Sequence, residues 1–321
     1  MPMGKQDLQS CFAGAAAGRA GSSPHFPFMT AVDIRRVGET KDLLGESPCW
    51  DARAGAVCWI DSLAGTLRCL WLSTGEFEQH SLPAPVGSIA LCESGAVIAA
   101  LKDSFARYDF ATRKLEILAR IEVDHPDVRL NDGKCDPWGN FVAGTMHINR
   151  LPGDTILGGL YRLRPDRSVE CIADGFGLTN GPCFSRDGKT LYVADSGIRT
   201  IWAYDYSSQR PLGNRRVFAQ TESLDSGPDG ATVDAEGFVW TVLPRVGKTA
   251  RFAPDGRLDR LVDLPATHPT SLCFGGPRLE RVFVTSISRS THLAGNRPQD
   301  GGLFEVSGLP AAGLPPHRFA D

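Results

Sequence analysis

One kind of turn returns six times along the chain. It reads DARAG at 51–55, ESG at 93–95, DPWGN at 136–140, SRDGK at 185–189, DAEG at 234–237 and FGGPRLE at 274–280. Short apolar runs flank these turns, among them AVCWIDS, GTLRCLWL, GNFVAGTM, KTLYVADS, TIWAYDY and RVFVTSI. Val, Ile, Thr, Phe, Tyr and Trp in runs of this length, bounded by Gly, Asp, Asn or Pro, read as β-strands. No long helical period interrupts them, so the chain is predicted to be all-β. With the units aligned on the turns, six positions fall into register: Glu46, Gly87, Asn131, Asn180, Asp229 and Thr270. Their spacings are 41, 44, 49, 49 and 41 residues. Repeats of about 40–50 residues with three or four strands each are the mark of propeller blades. Six units predict a six-bladed β-propeller.

A propeller has to close. The last unit supplies SLCF, RVFVTSI and GGLFEVSG, which is one strand short. AVDIRRV at 31–37 has no partner in the first unit, and it is expected to pair as the outer strand of the last blade, which removes an exposed edge. Residues 1–28 are rich in Ala, Gly and Ser, and their apolar patch at 11–18 is short and weak for a secretory signal. They are expected to form a disordered extension, with the propeller spanning 29–321 as one domain, a common size for this architecture.

Composition narrows the function. A net charge of −3 gives no reason to expect nucleic acid or an anionic membrane as partner. No run of about 18 apolar residues is present to span a bilayer. The nine cysteines contain no C-x-x-C pair, and many sit inside apolar runs such as AVCWI, SLCF and PCF. They read as small buried hydrophobes in a reducing compartment, hence the cytoplasm. No cluster of Cys or His is spaced along the sequence as in a zinc site. Nothing signals an assembly larger than a monomer or weak homodimer.

The six registered positions carry the chemistry. The innermost strand of each blade lines the central channel, so residues that begin those strands meet at one mouth. Glu46, Asn131, Asn180 and Asp229 then face one small volume, with Gly87 and Thr270 completing the ring. Two carboxylates packed together disfavour ionisation of both unless something compensates them. A bound cation does so, and carboxylate and amide oxygens suit hard divalent ions. Arg129, two residues before Asn131, is placed to reach over the mouth, where its fork of donors suits a polyhydroxy or anionic ligand. Lys134 is expected to face a neighbouring blade and to pair with an acid such as Asp132 or Asp136.

The segments ESPCWD, RLNDGKCDPWGNFVAGTM, TNGPCFSRDGKTLYVADS, PDGATVDAEGFVW and SLCFGGP resemble, as a set, the signature segments of the regucalcin (senescence marker protein)/gluconolactonase family. The resemblance runs from about Gly45 to the C-terminal GGLFEVSGLP. It implies a six-bladed propeller with one divalent metal at the channel mouth, acting on lactones, mostly sugar lactones. It further implies Glu46, Asn180 and Asp229 as metal ligands, Asn131 beside the metal, and Arg129 in contact with substrate. Ca²⁺ is the foremost candidate ion, with Mg²⁺, Mn²⁺, Zn²⁺ or Fe²⁺ as alternatives. The pattern departs after GTM: animal regucalcin has an acidic stretch there, whereas this chain has His147, Ile148, Asn149 and Arg150, closer to bacterial sugar-lactonase members. His147 is read as a loop histidine without a catalytic role.

The implied reaction is hydrolysis of an aldonolactone to the aldonic acid, with Asp229 both ligand and general base. No G-x-S-x-G elbow is present, so no acyl-enzyme is expected. Two alternatives use the same mouth: a calcium-dependent esterase or phosphotriesterase, and a metal-binding regulatory propeller without catalysis.

Overall fold

The computed structural model describes residues 31–122, 125–151 and 153–321. The expectation of a disordered extension over 1–28 lies outside the described residues. The described residues form 24 strands in six four-stranded antiparallel sheets. Strand β1 (Asp33–Val37) comes first. Blade one follows with β2 (Gly45–Asp51), β3 (Ala56–Asp61), β4 (Thr66–Trp71) and β5 (Phe77–Ser81). Blade two has β6 (Ser88–Leu91), β7 (Val97–Ala100), β8 (Ser104–Asp109) and β9 (Lys114–Arg120). Blade three has β10 (Val128–Cys135), β11 (Phe141–His147), β12 (Gly158–Leu163) and β13 (Val169–Phe176). Blade four has β14 (Thr179–Phe184), β15 (Thr190–Asp195), β16 (Thr200–Asp205) and β17 (Gly213–Gln220). Blade five has β18 (Ala231–Val233), β19 (Val239–Leu243), β20 (Lys248–Phe252) and β21 (Leu258–Asp263). Blade six has β22 (Pro269–Gly275), β23 (Arg281–Ser286) and β24 (Leu303–Ser307).

The missing fourth strand of blade six is β1. It pairs antiparallel with β24, Asp33 opposite Ser307 and Val37 opposite Leu303, as the sequence predicts. The first and last parts of the fold are therefore held in one sheet.

The recurring turn has one local cause. In each blade a glycine stands at positive φ between the two inner strands: Gly55, Gly95, Gly139, Gly188, Gly237 and Gly276. In four blades an aspartate before it braces the turn, in blade four Asp187, whose Oδ1 accepts the Lys189 amide at 3.1 Å. The Oδ1 of Asp51 accepts the amides of Arg53 and Ala54, that of Asp136 those of Trp138 and Asn140, and that of Asp234 those of Glu236 and Phe238. Such Asx contacts fix a turn that the glycine permits.

The core lies between blades. Six clusters of buried apolar side chains fill the six seams, and each draws on two adjacent blades. The seam between blades six and one is filled by Trp50, Trp59, Phe283 and Leu303, with Trp50 and Phe283 stacked at 6.0 Å. Buried apolar area contributes about 25 cal/mol per Å², so every blade depends on both neighbours.

The inner strands end at a face covered by the C-terminal segment. Phe319 N donates to Leu91 O at 2.9 Å and Ala320 N to Gly139 O at 3.0 Å. Arg318 reaches both Cys92 O and Asp51. The cysteines divide in a way the sequence reading missed. Cys58 and Cys69 face each other across β3 and β4 and form a disulfide, so for this pair the expectation of free buried thiols is corrected. Cys49, Cys92, Cys135, Cys171, Cys183 and Cys273 are free. Among the described residues no helix is long and apolar enough to cross a membrane.

A chain truncated at Gly38 loses β1 and leaves β24 as an open edge. We expect its melting temperature to fall by roughly 5 °C, on the order of 3 kcal/mol for a domain of this size. Oligomers from edge pairing should appear in size-exclusion chromatography.

Candidate metal centre at the channel mouth

The inner strands share an irregularity at the channel mouth. In blades one, three, four and six the register between first and second strand shifts by one residue, at Glu46/Cys49, Leu130/Gly133, Asn180/Cys183 and Pro269/Ser271. Each is a bulge, which re-aims the side chains beside it. Three of the four predicted mouth residues, Glu46, Asn131 and Asn180, lie in or at the edge of such a bulge. Asp229 comes just before β18, with its amide bonded to Val242 O at 3.0 Å.

The structure brings the predicted residues together. Asn131 Nδ2 donates to Asn180 Oδ1 at 2.6 Å and to Thr179 O at 2.9 Å. Arg129 Nη1 donates to Leu130 O at 2.9 Å and to Asn131 Oδ1 at 3.1 Å. Asn180 Nδ2 donates to Ser196 Oγ, which in turn donates to Pro228 O, one residue before Asp229. These bonds fix both amides by their NH₂ groups, with the Asn180 oxygen accepting from Asn131. Gly87 and Thr270 have other work. Thr270 is buried and bonds Gly45 O and Thr285, tying blade six to blade one. A Cβ on Gly87 would stand 2.6 Å from both Leu130 O and Asn131 O, so only glycine lets blade two pass this close to β10.

Electrostatics point to a missing positive charge. Burial pushes the Glu46 carboxyl well above the usual carboxylate range, and the charges of Asp229 and Asp132 push it further, against the pull of Arg129. Burial and Asp132 do the same to Asp229. Among the described residues neither carboxylate takes part in a salt bridge. Burial lowers the Arg129 guanidinium to about 10, so it carries its charge at neutral pH. The donor set of two carboxylates and an amide oxygen fits a hard divalent cation. Glu46, Asn180 and Asp229 would hold it.

Two residues beside this set were misjudged or missed. Lys134 pairs with neither acid in a salt bridge. Its Nζ donates to Ala231 O at 2.6 Å, linking blade three to blade five. The expectation of an ion pair assumed regular strand alternation, which the bulge at 130–133 breaks. Asp132 is a third carboxylate at the site. Its Oδ1 accepts Gly133 N at 2.8 Å and its Oδ2 accepts Gly181 N at 2.9 Å, so it clamps blade three to blade four next to Asn180. The NDG at 131–133 is therefore more than a turn: the amide faces the mouth and the carboxylate holds the next blade. Ser196 ends the KTLYVADS run just after β15, and the sequence reading gives it no role.

Below the mouth a cavity of about 100 Å³ occupies the channel, separate from the ligand set. Cys49, Cys135, Cys183 and Cys273 line it, one from each of four inner strands, and His317 of the C-terminal segment closes it. Burial raises all four thiols, Cys49 and Cys183 to about 12. They are protonated, inert packing groups, as the sequence suggests. Three possible ligands that the sequence reading did not group, His125, Asp127 and His147, lie together at the rim of blade three. His147 is the last residue of β11 rather than part of a loop.

Comparison with known proteins agrees with this geometry. The family described as the SMP-30/Gluconolactonase/LRE-like region matches residues 44–288. The chain belongs to this family. Regucalcin of Gallus gallus is 36% identical over 299 residues, covering 91% of this chain and 100% of the relative. Among solved structures, a luciferin-regenerating enzyme superposes with a TM-score of 0.84 at 26% identity, covering 91% of this chain and 100% of its own. A calcium-binding protein, regucalcin, from Agrobacterium tumefaciens superposes with a TM-score of 0.82 at 29% identity, covering 90% and 98%. The family includes gluconolactonases and calcium-binding members.

Two outcomes test the centre. Gly87→Ala should lower the melting temperature by about 3–5 °C, since overpacking costs about 2–3 kcal/mol, and it should weaken metal binding by displacing Asn131. The second concerns pH. Raised carboxyl pKa values stabilise the metal-free fold at low pH, and that contribution is lost as pH rises through them. A bound cation requires both groups ionised. The Ca²⁺-induced rise in melting temperature of dialysed protein should therefore be small near pH 5 and grow toward pH 8.

Proposed function

We propose that this chain hydrolyses a sugar lactone to the corresponding aldonic acid, with one divalent cation, Ca²⁺ foremost, held by Glu46, Asn180 and Asp229. The observation that carries the reading is a pair of half-buried carboxylates, Glu46 and Asp229, whose mutual repulsion Arg129 only partly offsets, beside two oriented amides. Family membership supports it, since the family takes in gluconolactonases. A cation bound there supplies Lewis acidity for an ester carbonyl and its developing oxyanion.

The chain's own groups do the rest. Asp229 has two carboxylate oxygens, one for the ion and one to accept a proton from the attacking water. The water oxygen bonds to the lactone carbonyl carbon, the ring C–O bond breaks, and the proton on Asp229 passes to the departing alkoxide. Arg129 keeps Nη2 for sugar hydroxyls, because its Nη1 is fixed on Leu130 O and Asn131 Oδ1. Asn131 is locked by bonds from and to its neighbours and orients the ligand beside the ion. The partner is then a small lactone, met by a monomer or weak homodimer. The six free thiols among the described residues favour the cytoplasm, against the single Cys58–Cys69 bond.

A second reading, calcium binding without turnover, rests on the Agrobacterium relative being described as a calcium-binding protein. Proton release from a panel of aldono-1,4- and 1,5-lactones separates the two. Enzyme stripped by chelator and then given single metals should regain activity with at least one of them. Asp229→Ala should lower the rate by at least about 10³-fold while the fold persists. Flat traces for every lactone, despite a metal-dependent rise in melting temperature, would overturn the lactonase reading in favour of calcium binding without turnover or an esterase acting on other substrates.

A further inference from the structure

We propose that His125, Asp127 and His147 form a second cation site, at the rim of blade three, that takes a transition-metal ion of the zinc class. This site goes beyond the lactonase reading and does not depend on it.

The geometry is set by backbone. His147 ends β11 directly opposite Val128, the first residue of β10. Ile148 N donates to Asp127 O at 2.9 Å, which extends the ladder past the strand ends. Val128 N donates to His125 O at 3.2 Å and closes a turn over 125–128. That turn folds His125 back over His147, their ring centroids 4.5 Å apart. One ligand atom from each of the three residues lies within 4.8 Å of the other two. A tetrahedral ion about 2.0–2.1 Å from each donor asks only for side-chain rotation from here.

A second observation points at a ligand. The Nδ1 of His147 is buried and has no hydrogen-bond partner among the described residues. Buried polar atoms are nearly always partnered, and exceptions call for a cause such as a missing ion. All three side chains are half-buried, so an ion can enter. The Nδ1 of His125 accepts the Asp127 amide at 3.2 Å, a long contact that an ion bound at Nδ1 can replace.

The donor set separates this site from the mouth. Two imidazoles and one carboxylate suit Zn²⁺ and its neighbours, with a fourth position open, whereas the mouth offers only oxygens. The site is also placed to matter: Arg129 lies two residues beyond Asp127 and pairs with Met146, next to His147. An ion here ties the approach to β10 to the end of β11 and so holds the backbone that carries Arg129.

Dialysed protein saturated with Ca²⁺ should still bind one equivalent of Zn²⁺ in a calorimetric titration. His125→Ala/His147→Ala should lose that equivalent, by more than the roughly 10–100-fold that removal of an outer partner costs. Glu46→Gln should retain it. Equal Zn²⁺ stoichiometry and affinity in the double variant would overturn the proposal. Should that variant fail to fold, NMR of the wild type decides: Zn²⁺ should shift the imidazole signals of His125 and His147 first among the seven histidines, and unmoved signals would overturn the site.

Discussion

The ladder between β1 and β24 makes six sheets into a ring. Without it blade six has three strands, and the seam of Trp50, Trp59 and Phe283 is held only by its own packing and by bonds such as Thr270 Oγ1 to Gly45 O and Asp42 N to Gly301 O. Each blade buries its apolar faces only against its neighbours, so stability is shared around the ring rather than stored in any sheet. Closure also sets the positions at the axis. Once the circle has six members, the starts of six inner strands must converge, whatever residues they carry.

That convergence explains both the bulges and the chemistry. Inner strands crowd toward the mouth, and an extra residue in four of them turns side chains toward the axis or the next blade. Asp132, Lys134 and Thr270 use this to bond adjacent or opposite blades through backbone atoms. Glu46 and Asp229 instead form no salt bridge among the described residues, and the Asp229 charge raises the Glu46 carboxyl. Two half-buried like charges at the mouth carry a cost that a cation would remove. The same crowding excludes a Cβ at Gly87.

The rim of blade three follows a different logic. There the strands are ending, the backbone turns sharply, and residues 22 apart in sequence, His125 and His147, come into ring contact. No repeat carries this arrangement, since no other blade has histidines at these positions. It belongs to the individual chain rather than to the propeller.

Much of the fold was legible in the sequence because a propeller is periodic. The glycine turns, the six registered positions and the unpaired AVDIRRV segment determine the number of blades and the closing strand. They also place Glu46, Asn131, Asn180 and Asp229 around one axis, since equivalent positions in equivalent units must be equidistant from it. Tertiary structure alone decided what breaks the period. Bulges redirected Lys134 to Ala231 O and Asp132 to Gly181 N, facing strands joined Cys58 to Cys69, and a tight turn set His125 on His147. Those outcomes depend on distances between segments that no spacing along the chain encodes, because one residue of bulge reverses the direction in which every side chain near it points.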